Sequence, residues 1–286
     1  MSNLWRDEPL TQLLQSSVAL FVGFMMGGIG LGVGFGLLLA VGGVLTFVLG
    51  VDLTATQFLV LSLVFVQGIG CAGIALLYVA IRPRVAQRLR EEFDLARRLP
   101  VRDIGASVPD LRDLVTVVLG YVVAFGGVIV ASVLITTVQN LTGTEIDTGT
   151  NSAAELGMQN PEVLLLLIPA SILLIGPGEE LLFRGVVQGR IREAFSVVPG
   201  ILLPSMIFAG LHWFALSGGS VGGNLVALGV LLVPSIVFGA AYEYTDNIVV
   251  PAAIHGLYNA TLVSLLYVVV AFGDQLPETA LLAPVA

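Results

Sequence analysis

The chain contains no lysine; all 12 of its basic residues are arginine. Charge of either sign is scarce. Asp, Glu, Lys and Arg make up 11% of the 286 residues, against about 25% in a soluble domain. With a formal net charge of −8, it lacks the basic footprint of a nucleic-acid-binding protein. An acidic, lysine-free composition suits a very salty cytoplasm, where repulsion between like charges is screened. The single cysteine, Cys71, excludes an intrachain disulfide and CxxC-type metal sites. Lying in an apolar run, it reads as a small buried hydrophobe. Only two histidines exist, His212 and His255. No cleavable signal peptide is expected, because "MSNLWRDEPLTQ" is polar and the apolar run after it outlasts a signal h-region.

Apolar surface is what the chain has in plenty: 56% of its residues are hydrophobic. That places it among polytopic membrane proteins, best divided into spans of about 20 residues. Seven apolar stretches stand out: Ser16–Leu49, Thr56–Ile81, Leu114–Val138, Pro161–Phe183 continuing toward Arg192, Val197–Leu216, Leu225–Tyr242 and Ile248–Phe272. The first is glycine-rich ("GFMMGGIGLGVGFG"), which suits close helix–helix contact. It is read as one long tilted helix, since each half would be short for a span; divided, it would make an eighth. The expected fold is therefore an all-α membrane bundle. The one strongly polar segment, 82–112, carries eight arginines and reads as a surface helix followed by a loop. Basic residues in short loops mark the cytoplasmic side. That puts 82–112, Arg190, Arg192 and 243–247 inside, and 140–160 and 217–223 outside. No inverted repeat of the transporter kind is visible.

A charge at a helix centre costs about 2.5–3.5 kcal/mol on insertion scales, so the few polar residues within the spans need a reason. Glu179 and Glu180 follow Pro177 and Gly178, where a kink or restart is expected. Glu180 and Arg184 stand i,i+4 on one helix face and are expected to pair. Glu179 points about 100° away and stays available for other chemistry. His255 and Asn259 share a face one turn apart. The bland alternatives are a structural ion pair, hydrogen-bonded packing histidines and a helix-bridging Asn. Depth supports a shared site for Glu179 and His255. It strains for His212, about 24 Å from Ser196 at the helical rise.

Taken together these residues resemble a known pattern. "EELLFR" (180–184 with Glu179) fits EExxxR, "FAGLH" (Phe208–His212) fits FxxxH, and "HGLYN" (His255–Asn259) fits HxxxN. In order and spacing, over about 160–272, they resemble the CPBP family of intramembrane proteases. That family includes the endopeptidases that trim prenylated CAAX proteins and bacterial proteins linked to bacteriocin maturation and self-immunity. The resemblance implies a helical membrane fold with a polar cavity open to the cytoplasm, and a catalytic set of Glu179, Glu180, His212, His255 and Asn259. Arg184 and Phe208 would support it. It also implies a protease core over 114–286, preceded by N-terminal spans and a basic segment over 1–113. In the family the first glutamate is thought to activate water.

The residue chemistry agrees. Peptide hydrolysis needs a base for water, a donor for the oxyanion and a proton for the leaving amine. Glu179 would be the base, His212 would help hold the water, and His255 with Asn259 would donate to the oxyanion. A zinc version would use Glu179, His212 and His255 plus water, although HExxH is absent. No Ser or Cys is paired with a His in any motif, which speaks against a serine-protease mechanism. The expected partners are the lipid bilayer and a membrane-associated or lipidated protein or peptide. Two other readings stand beside the protease: a proton-coupled transporter and a catalytically silent scaffold.

Overall fold

The computed structural model describes residues 9–93 and 103–275. Among them, seven helices are long and apolar enough to cross a membrane: Leu13–Val48, Ala55–Val85, Leu111–Thr142, Pro161–Arg192, Val197–Ala215, Val221–Thr245 and Val249–Gln275. They are called the first to seventh spans below. The protein is an all-α polytopic bundle. Its outer faces stay apolar, with Phe21, Leu39, Val118, Leu134 and Leu173 exposed; such contiguous apolar surface belongs against lipid rather than water. Each apolar stretch read from the sequence corresponds to one of these helices, and the glycine-rich one is a single span. The helix at the start of the arginine-rich segment is not separate. It continues the second span to Phe93 through Pro83. The expected loop lies partly at 94–102, outside the described residues.

The loops sort into two ends. At one, Gly105 accepts from Ile248 N at 2.8 Å, Asn247 Nδ2 donates to Asp113 Oδ2 at 2.8 Å, and Glu193 pairs with Arg82 and Arg190. At the other, β1 (Thr150–Asn151) runs antiparallel to β2 (Leu216–Ser217), and Asn224 Oδ1 accepts from Gly149 N at 2.7 Å. The loops assigned from sequence to one side therefore meet one another and not the opposite set.

Two helix crossings bring backbones into contact and fix where the polar residues fall. In the first span, Gly30 and Gly34 stand in GxxxG spacing. A Cβ on Gly30 would lie 2.9 Å from Gly70 O. Thus the first span lies directly on the second, and Leu20, Met26 and Leu31 join the core of Leu182, Phe183, Val187, Ile191 and Phe208. The second crossing joins the fourth and seventh spans. A Cβ on Gly176 would lie 2.8 Å from Ala252 O, and one on Gly256 would lie 2.8 Å from Ile172 Cα. Those glycines stand three or four residues before Glu179 and Glu180, and one after His255. Gly256→Ala is expected to push these helices apart and cost about 1–3 kcal/mol, as overpacking does. Thermal unfolding of the detergent-purified variant measures it.

Candidate active site

Around this crossing the fourth span departs from a regular helix. Gly176–Glu180 is α-helical between π-helical turns at Ser171–Ile175 and Leu181–Gln188. The break expected at Pro177 is thus a change of winding, not an interruption. Such turns are rare and often mark functional sites. Here they turn both glutamates and Arg184 into the bundle. Glu180 and Arg184 are fully buried, and Glu179 and His255 retain only 7% and 4% exposure.

Buried charges need partners, and each finds them. Arg184 Nε donates to Glu180 Oε2 at 2.9 Å. Its remaining nitrogens reach Ser235 Oγ at 2.9 Å and Ser205 Oγ at 3.5 Å. The other oxygen of Glu180, Oε1, accepts from His255 Nδ1 at 2.8 Å. One carboxylate therefore joins Arg184 on its own helix to His255 on the seventh span. Because a carboxylate accepts, the hydrogen sits on Nδ1. Nε2 of His255 then faces Glu179 Oε2 at 3.8 Å, beyond direct hydrogen-bond reach. The imidazole is held flat by Phe238, stacked at 4.7 Å and 17°, and edge-on by Phe208 at 5.8 Å.

The other sequence-derived residues stand further off. His212 is half-buried and its Nδ1 donates to Phe208 O at 2.8 Å, leaving Nε2 as an acceptor. It approaches the cluster through Phe208, whose ring lies 4.4 Å from its own. The Phe208 ring, one turn before His212, lies 5.8 Å from that of His255. Asn259 is half-buried, one turn beyond His255, with no hydrogen-bond partner among the described residues. Glu179 Oε2 stands 3.8 Å from His255 Nε2, and His212 lies one turn beyond Phe208 on the fifth span. Among the described residues no group of three or more His, Cys, Asp or Glu is arranged to hold a metal ion.

Four contributors went unread in the sequence: Gln67, Ser205, Ser235 and Phe238. Gln67 Nε2, from the second span, donates to Glu179 Oε1 at 2.9 Å. Its signal was available: it is the one amide in the apolar run "LVFVQGIGCAG". Ser205 and Ser235 also had a signal. "PSMIF" and "PSIVF" repeat the same spacing at 204–208 and 234–238. In each, a serine faces Arg184 and the phenylalanine three residues on packs against His255, as i,i+3 neighbours on one helix face can.

Residues 161–261 match the family model described as type II CAAX prenyl endopeptidase Rce1-like. All three motifs lie inside the match, which bears out their resemblance to the CPBP family. No curated protein and no solved structure matches the chain.

Proposed function

We propose that this chain, a CPBP-family protein over residues 161–261, is an intramembrane endopeptidase whose water is activated by Glu179. The observation that carries the reading is the approach of Glu179 Oε2 to His255 Nε2, 3.8 Å apart, which with His255 neutral makes a pair of acceptors. A water about 2.8 Å from each gives one hydrogen to each and turns its lone pair toward a substrate carbonyl. Its proton passes to Glu179 as the oxygen–carbon bond forms. The carbonyl oxygen becomes an oxyanion, to which the unpartnered amide of Asn259 donates. Glu179 then returns the proton to the amide nitrogen as the carbon–nitrogen bond breaks, releasing a carboxylic acid and an amine. Glu180 holds the tautomer and orientation of His255, Arg184 balances the charge of Glu180, and His212 Nε2 offers an acceptor to a further water.

The surroundings support a lipid-tethered substrate. An open apolar groove runs on the outer face between the first and fifth spans, lined by Leu20, Phe24, Met206, Ile207, Leu211 and Phe214. Leu211 adjoins His212. Such a groove suits a peptide tethered to the bilayer by an apolar chain, the prenylated C-terminus of a CAAX protein being the type that the family implies. The arginine-bearing end, with segment 82–112, would be cytoplasmic by the charge rule.

The test is purified protein in liposomes, presented with prenylated and unprenylated peptides, the products being read by mass spectrometry. Cleavage of the lipidated peptide supports the reading. Proton flux without cleavage, lost in Glu179→Gln, would favour a transporter. Within this scheme Asn259→Ala should lower kcat by about 10²–10³, as loss of one oxyanion donor does. KM should stay nearly unchanged, because the interaction forms in the transition state. Were Asn259 only a helix tie, the same change would lower the melting temperature and leave turnover per folded molecule intact.

A further inference from the structure

The second span lies outside the family match, yet it touches the proposed base. We propose that Gln67 is the positioning residue for Glu179: its amide N–H holds Oε1, so that Oε2 alone faces His255 and the water. The inference rests on the endopeptidase reading.

Three observations converge on it. The hydrogen bond from Gln67 Nε2 engages Oε1 at 2.9 Å, whereas His255 Nε2 stands opposite Oε2. The two oxygens of Glu179 are therefore unequal, one tied and one open, as a base with a single working lone pair requires. The contact is also built in at the backbone. Gln67 lies within the π-helical stretch Leu63–Gly73, and a Cβ on Gly178 would meet Gln67 O at 2.9 Å. The glycine next to Glu179 thus lets the second span approach closely enough for the amide to reach the carboxylate. Finally, Gln67 Oε1 is buried without a hydrogen-bond partner. Only the N–H end of the amide suits a carboxylate, so the vacant atom is the oxygen. A leucine or methionine would fill the same space without leaving a dry acceptor. Glutamine brings one thing those residues lack, the donor.

Gln67→Met tests this, because it keeps the length and apolar packing of the side chain and removes the donor. With Glu179 free to turn, kcat should fall about 10–100-fold, the scale of a misplaced catalytic group. KM should stay within about twofold, and the melting temperature should be unchanged. Gln67→Asn, which keeps a donor on a shorter stem, should recover part of the loss. Gln67→Glu, which adds a like charge beside Glu179, should recover none. A second readout does not depend on turnover. The infrared bands of the Glu179 carboxylate, identified from the difference between wild type and Glu179→Gln, should shift in Gln67→Met. A Gln67→Met protein with kcat within about twofold of wild type, or with Glu179 bands unmoved, overturns the proposal. If wild type cleaves no peptide, the endopeptidase reading fails, and the infrared bands still decide whether Gln67 holds Glu179.

Discussion

Glu179→Gln is expected to lower peptide hydrolysis by about 10²–10⁴-fold, the contribution of a positioned general base. The substitution is nearly isosteric and replaces one acceptor oxygen by an amide that cannot take a proton. In the native arrangement Oε1 is already tied to Gln67 and Oε2 is the atom 3.8 Å from His255. In the proposed scheme, loss of basicity at that one atom would remove the destination of the water's proton and the source of the proton for the leaving amine. Binding relies on other surfaces, so KM should change little and kcat should carry the effect. Turnover and thermal unfolding, measured on the same preparation, separate chemistry from folding. A variant that keeps its stability and works within about tenfold of wild type would move the base elsewhere.

The largest effect on stability is expected from Arg184→Ala. Removing one partner of a buried ion pair costs about 3–5 kcal/mol, because the other charge is left without compensation. Arg184 is fully buried, and its loss would strand Glu180 in the interior. The damage would spread, since Arg184 joins the fourth span to Ser205 of the fifth and Ser235 of the sixth. Through Glu180 it also joins His255 of the seventh. Arg184→Lys should not rescue it: one ammonium cannot reproduce a planar fork that serves three oxygens at once. Folded yield and the unfolding midpoint in detergent measure the loss. A stable Arg184→Ala protein with unaltered midpoint would show that the pair is dispensable to the fold.

The spans were legible because hydropathy over about 20 residues reports a bilayer directly. The Glu180–Arg184 pair was legible for a similar reason, as i,i+4 spacing lies within one helix. The sequence offered Glu180 a single partner, however, and a carboxylate has two oxygens. The second is taken by His255, 75 positions away, a contact fixed by the glycine crossing of the fourth and seventh spans and not by any local spacing. Gln67 was hidden in the same way, 112 positions from Glu179, although its isolation in an apolar run was visible. His255 was read as an oxyanion donor beside Asn259. Its Nδ1 donates to Glu180 Oε1 at 2.8 Å, and its Nε2 stands 3.8 Å from Glu179 Oε2. The zinc reading followed from residue types alone. The helix geometry places the Phe208 ring against both imidazoles, with His212 one turn further along the fifth span.

The most direct measurement is cleavage of a bilayer-anchored, prenylated peptide by the reconstituted protein in heavy-oxygen water. The new C-terminal carboxyl should carry one solvent oxygen in the wild-type reaction, and labelled product should form about 10²–10⁴-fold more slowly with Glu179→Gln. Labelled product formed equally well by Glu179→Gln, or an intact peptide after incubation with folded wild type, would contradict a water activated by Glu179.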